Sequence, residues 1–136
     1  TYRVLPRTLS PAGSLNTGPA SPPSDSVTAD GFPGWRIEGN TILNHRDQTA
    51  AVWIGDRRYG PSEGLLKDNY LAGGGYVIYA GPGGGAGLRV VGNVFSTRYF
   101  PNSGRWGPVM WWQSSGNTWS GNTWADGSAR GRLVAP

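Results

Sequence analysis

Three short stretches of the chain carry the side chains that could do chemistry. Asn44-His45-Arg46-Asp47-Gln48 sets an imidazole, a guanidinium and a carboxylate within three residues. Asp56-Arg57-Arg58-Tyr59 follows a dense apolar run, and Ser96 to Gly107 holds Arg98, Tyr99, Arg105 and Trp106. An elimination needs a base for the proton α to a carboxylate and a cation for the developing charge, roles open to His45, Arg46, Arg57 and Arg58. A glycosidase needs two suitably spaced carboxyl groups, for which Asp47 with Asp56 is the candidate pair, although two solvated loop charges are the simpler reading. Calcium takes about six to eight oxygen ligands. Asp47, Asp56 and Asp68 are too few to supply them, so no metal site and no cofactor are expected. Whether the chain is an enzyme stays open.

The aromatic residues suggest a milder chemistry. If Trp53, Tyr76 or Ile78, and Trp112 point outward, they form a row on which sugar rings can stack, flanked by Arg57, Arg58 and Arg105 for acidic groups. The plainer reading is that alternate residues, including Trp111 and Tyr79, simply fill the interior. The strands are apolar on both faces, so period alone leaves the parity open.

Composition limits what can hold these groups. The chain has 136 residues, with 23 Gly, 11 Pro and 15% charged residues, which suits a turn-dense β protein and argues against a helical bundle. It has no cysteine and a single histidine, so a disulfide scaffold, a Cys-based zinc site and an ordinary Ser-His-Asp triad are not expected. No apolar run approaches the roughly 20 residues that cross a bilayer, so membrane insertion is not expected either. The net charge of +4 is uneven: residues 89 to 136 carry five arginines against Asp126 alone. That bias favours an acidic partner, yet the arginines are spread over loops rather than set on a recognition module, so no nucleic acid is expected. Gly81-Pro82-Gly83-Gly84-Gly85-Ala86-Gly87 lacks the Gly-Lys-Ser/Thr ending of a phosphate loop and reads as a corner.

Behind the candidate loops stands a repeat. Ile37-Glu38-Gly39-Asn40-Thr41-Ile42 returns as Leu66-Lys67-Asp68-Asn69-Tyr70-Leu71, as Val90-Val91-Gly92-Asn93-Val94-Phe95 and as Trp119-Ser120-Gly121-Asn122-Thr123-Trp124. The asparagines lie 29, 24 and 29 residues apart, a spacing typical of stacked repeats. Each unit adds a denser run, such as Ala51-Val52-Trp53-Ile54 or Tyr76-Val77-Ile78-Tyr79, so each supplies two or three short strands. Units this small bury a face only by stacking at about 4.8 Å per level. The spacing therefore predicts an all-β fold: a parallel β-helix, a single-stranded solenoid of about four short coils over residues 35–136. Asn40, Asn69, Asn93 and Asn122 are then expected to form a structural ladder at one corner. Residues 1–34 hold six of the eleven prolines and read as an irregular flank, either cap or linker, in which Tyr2 to Leu5 and Val27-Thr28 are the fragments able to pair at a sheet end.

The segments Ile37 to Ile42, Leu71 to Ala80, Tyr99 to Val109 and Trp119 to Trp124 give the chain a resemblance to secreted right-handed parallel β-helix proteins of the pectate-lyase-like fold, of actinobacterial type. The likeness spans about residues 35 to 127 and is to the last coils and C-terminal end of such proteins, which implies a fragment or a short member. It implies a right-handed coil, an extracellular location and a polysaccharide partner. A polar His and Asp motif of the family's earlier coils has no counterpart here. The expectation is an extracellular protein or fragment that contacts polysaccharide; the alternatives are a lyase or glycoside hydrolase on uronate-containing glycan, and a structural or assembly solenoid. Oligomeric state is left open.

Overall fold

In the computed structural model the described residues are 3–4, 27–29, 34–54, 63–80 and 87–136. Among them every regular element is a strand and none is a helix. The strands fall into three sheets, and every strand pairing within them is parallel. The first sheet stacks β1 (Arg3–Val4), β3 (Arg36–Glu38), β6 (Leu65–Lys67), β9 (Arg89–Val91) and β12 (Thr118–Ser120). The second stacks β4 (Thr41–Asn44), β7 (Tyr70–Gly73), β10 (Val94–Phe95) and β13 (Thr123–Trp124). The third stacks β2 (Val27–Ala29), β5 (Val52–Ile54), β8 (Tyr76–Tyr79) and β11 (Gly107–Met110). The three repeats from β3 to β11 thus give one strand to each sheet in turn, and the last gives β12 and β13 to the first two, an arrangement consistent with a solenoid. From the segment 1–34, β1 and β2 extend the first and third sheets.

The register follows the apolar positions. Ile37 pairs with Leu66, Leu66 with Val90 and Val90 with Trp119. Ile42, Leu71, Phe95 and Trp124 form a second file, and Val52, Ile78 and Val109 a third. The three files face one another, and Ile37, Leu66, Val90, Ile42, Leu71, Phe95, Val52 and Ile78 are fully buried. Burying each such side chain contributes about 1.5–3 kcal/mol, so the stack supplies what no single unit could.

The corner between the first and second sheets is the same at every level. Gly39, Asp68, Gly92 and Gly121 all have φ between 54° and 67°, the left-handed region open to Gly and, at modest strain, to Asp. Each turn aims the next residue, the asparagine, into the interior, where its amide faces the neighbouring levels. Asn69 Oδ1 accepts from Asn40 N and Nδ2, Asn93 Oδ1 from Asn69 N and Nδ2, and Asn122 Oδ1 from Asn93 N and Nδ2, all at 2.9–3.2 Å. The side-chain amides also donate to the carbonyls of Ile37, Leu66 and Val90 at 2.9 Å. One amide therefore satisfies backbone groups on adjacent levels that the turn leaves unpaired.

At the C-terminal end the chain imitates one more level. Tyr70, Val94 and Thr123 donate their backbone N–H to the carbonyls of Asn40, Asn69 and Asn93, and Val134 N does the same to Asn122 O at 2.8 Å. Trp119 Nε1 donates to Val134 O at 2.6 Å, Leu133 bridges Thr123, and Val134 is only 3% exposed in the core. The tail thereby covers an edge that would otherwise offer unpaired strand groups.

Replacing Asn93 by Ala strands the buried N–H of Asn69 and the carbonyl of Leu66, and it is expected to destabilise the protein by at least about 2 kcal/mol, since each orphaned buried group costs about 1–3 kcal/mol. Urea denaturation measures this; a loss no larger than that of an exposed control such as Gln113→Ala would remove the ladder as a stabilising device.

Candidate functional site

The candidate site lies where the second sheet hands over to the third, and three successive levels build it unequally. On one level residues 45–51 make a broad loop after β4. On the next, Gly73, Gly74 and Gly75 turn the corner with no side chain at all. On the third, residues 96–106 make the longest loop. The glycines are required by space as well as by conformation: Gly73 and Gly74 have φ of 90° and 84°, and a Cβ on Gly73 would sit 1.6 Å from the carbonyl oxygen of Asn44. One on Gly74 would fall 2.7 Å from Tyr76 O.

Both flanking loops close onto this bare corner. Gly74 N donates to the carbonyls of Asn44 and Arg46, and Gly75 N to that of Thr49. From the other side Gly73 N donates to Ser103 O, while Arg105 N and Trp106 N donate to the carbonyls of Gly74 and Gly75. Asn44 shapes the first loop from within: its Oδ1 accepts from Arg46 N at 3.0 Å, and its Nδ2 donates to the carbonyls of Gln48 and Ala50 at 3.3 Å. Thr49 and Ser103, one in each loop, hold φ of 61° and 70°. Such left-handed non-glycine residues store local strain of about 1–3 kcal/mol and concentrate at functional sites.

Loops more than fifty residues apart consequently touch. The rings of His45 and Tyr99 meet edge to face with centroids 6.4 Å apart, and Arg105 Nη1 lies 3.5 Å from Asp47 Oδ2. His45, Arg46, Asp47, Gln48 and Phe100 line an open hollow of about 470 Å³. His45 Nδ1 is buried and makes no hydrogen bond. The guanidinium of Arg105 lies 5.0 Å from the ring centre of Trp106, and that of Arg98 lies 5.1 Å from the ring centre of Tyr99. Among the described residues, Arg46 and Arg98 form no ion pair, and Arg46 lines the hollow with Asp47. The first and third candidate loops are thus brought together; Asp56, Arg57, Arg58 and Tyr59 lie outside the described residues.

Next to the hollow runs an aromatic row whose membership corrects the expectation. The register sets Trp53 opposite Tyr79 and Tyr79 opposite Met110, not Trp53 opposite Tyr76 or Ile78. Ile78 is fully buried, and Trp112 turns toward the core, stacked edge-on to Trp119 at 5.2 Å. The outward member on its level is Trp111, 43% exposed and 5.3 Å from the Tyr79 ring, with Trp53 exposed at 42%. Trp111 reaches that position through a φ of 62°, a reversal of parity at the end of β11 that a regular strand would not make. Tyr79 reaches from the row to the bare corner: its hydroxyl lies 3.2 Å from where a Cβ of Gly75 would be, a point equally 3.2 Å from Asp47 O. Burial, then the neighbouring Tyr76, raises its pKa, so it remains a neutral phenol at physiological pH.

Asp126, the lone acid of the C-terminal third, is engaged elsewhere. Its Oδ1 accepts from Thr97 N at 2.7 Å and Thr97 Oγ1 at 2.6 Å, and its Oδ2 from Ser96 Oγ at 2.5 Å. It anchors the start of the 96–106 loop and leaves Arg98 unbalanced. Desolvation raises its pKa, but the bonds from Ser96 and Thr97, with Arg130 nearby, outweigh this and hold the carboxyl below its ordinary 3.8. A depressed folded-state value means stability that is complete above 3.8 and lost as pH falls through the lower folded value.

Asp126→Ala is therefore expected to lose about 1–3 kcal/mol at neutral pH, with the gap to the parent closing as the solution is acidified below 3.8. Urea titrations across that range measure it; a gap independent of pH would show that the ionised carboxylate is not the stabilising form. Gly74→Ala should destabilise by at least about 1 kcal/mol, from its positive φ and the clash with Tyr76 O together; a thermal midpoint equal to the parent's would mean the corner is not packed this tightly. No protein-family model matches the chain, and neither a curated protein nor a solved structure is significantly similar to it.

Proposed function

We propose that the chain is a right-handed parallel β-helix of the pectate-lyase-like kind, located outside the cell, and that it contacts polysaccharide along the aromatic row and the adjoining hollow. The right hand is favoured because a strand that crosses over to rejoin the same sheet in parallel, as β3 does to β6, takes that hand in about 98% of cases. The observation that carries the binding reading is the row of Trp53 on β5, Tyr79 opposite it on β8, and Trp111, which follows the last residue of β11 and lies edge-on to the Tyr79 ring. Levels in such a sheet are about 4.8 Å apart, close to the advance of one pyranose ring along an extended glycan. Trp111 adds weight, because its left-handed backbone leaves a bulky aromatic side chain 43% exposed beside Tyr79. Arg46, which lines the hollow, and Arg105, against Asp47, suit the acidic groups of a polymer.

Binding to pectin, alginate and cellulose oligosaccharides by titration calorimetry tests the proposal. Trp53→Ala and Trp111→Ala are each expected to weaken binding about three- to tenfold, the effect of losing one stacked ring, whereas Trp112→Ala should lower stability instead. No binding to any polymer, or binding indifferent to both outward tryptophans, would overturn it. Ultraviolet absorbance from unsaturated product in the same mixtures would replace contact by a lyase reaction.

A further inference from the structure

We infer that Asp47 is a built-in competitor for the anionic group of the ligand: it occupies Arg105 when the hollow is empty and yields it to a carboxylate or sulfate of the glycan. The inference rests on the reading that the chain contacts polysaccharide, and it names the residue that sets the discrimination between acidic and neutral chains.

The geometry is that of a tie made to be exchanged. Asp47 and Arg105 belong to loops on either side of the Gly73-Gly74-Gly75 corner, and their 3.5 Å contact spans a level that has no side chain of its own. Both side chains are about half exposed, at 49% and 48%. Exposed pairs of this kind are weak and salt-screened, so an incoming anion displaces one at little cost. A guanidinium also offers a planar fork of donors, and a contact of 3.5 Å to one carboxylate oxygen leaves that fork free for a bidentate partner. Arg105 is held for this exchange independently of Asp47. Its backbone N–H is fixed to Gly74 O at 2.9 Å and its guanidinium packs on Trp106. Arg46, which lines the hollow and forms no ion pair among the described residues, adds to the positive field there. A neutral glycan has no group to exchange with Asp47 and must bind beside the intact pair. Asp47 is thus a positioning residue acting through Arg105.

The test compares the parent, Asp47→Asn, Asp47→Glu, Arg105→Gln and the Asp47→Asn/Arg105→Gln double variant. Each is titrated with an oligogalacturonate, a sulfated oligosaccharide and a neutral cello-oligosaccharide, at low and at elevated salt. Asp47→Asn should bind the acidic oligomer about two- to fivefold more tightly at low salt, the scale of a released surface pair, and leave the neutral one unchanged. Asp47→Glu should restore the parent's behaviour, and Arg105→Gln should abolish the gain in the double variant. Tightening with the uronate alone assigns a carboxylate, and tightening with the sulfated chain alone assigns a sulfate. Neutral binding that persists while Asp47→Asn leaves the affinity for both anions unchanged or weaker overturns this inference and spares the proposed function. Failure of all three oligomers to bind any variant overturns both.

Discussion

The hydrogen bond from the backbone N–H of one corner asparagine to the side-chain carbonyl of the next is the contact on which the rest of the structure depends. It is short, buried and repeated three times, joining Asn40, Asn69, Asn93 and Asn122. Parallel strands of two to four residues have little to prevent a slip, and in a strand a one-residue slip turns every core side chain to the other face. An amide locked to the amides above and below allows one register only. The apolar files through Ile37, Ile42 and Val52 supply most of the favourable free energy, and the asparagines decide which arrangement of those files forms.

That register produces the site at the next corner. Because each level is fixed to its neighbours, the 45–51 and 96–106 loops must lie one level on either side of Gly73-Gly74-Gly75. The glycines remove the side chains that would hold them apart, and the two loops then meet through His45 with Tyr99 and Asp47 with Arg105. The same stacking draws Trp53, Tyr79 and Trp111 into one row. A repeat that does no chemistry thus assembles side chains from distant parts of the chain into one surface, with the strain of Thr49, Ser103 and Trp111 set around it.

Much of this was legible in the sequence, because the periodic features report backbone needs directly. The recurrence of Gly or Asp before Asn marks a left-handed turn followed by an inward amide, and the parallel all-β stack with its asparagine ladder follows from it. The apolar files were legible for the same reason. The membership of the aromatic row was not, since runs such as Tyr76 to Tyr79 and Val109 to Trp112 are apolar on both faces and the left-handed φ of Trp111 reverses the alternation. Nor does loop composition show that His45 and Tyr99 share a surface, which depends on three glycines between them in space rather than along the chain. The tail's imitation of a further level is silent in sequence as well, because Leu133 and Val134 carry no repeat signature.

Scalar couplings across hydrogen bonds test the ladder most directly. In isotope-labelled protein, the backbone amide nitrogens of Asn40, Asn69 and Asn93 should each couple to the side-chain carbonyl carbon of Asn69, Asn93 and Asn122 respectively. Three such correlations in that order would establish the register on which the core files, the joined loops and the aromatic row rest. Couplings to other acceptors, or amide protons at these positions that exchange with solvent as fast as exposed ones, would contradict it.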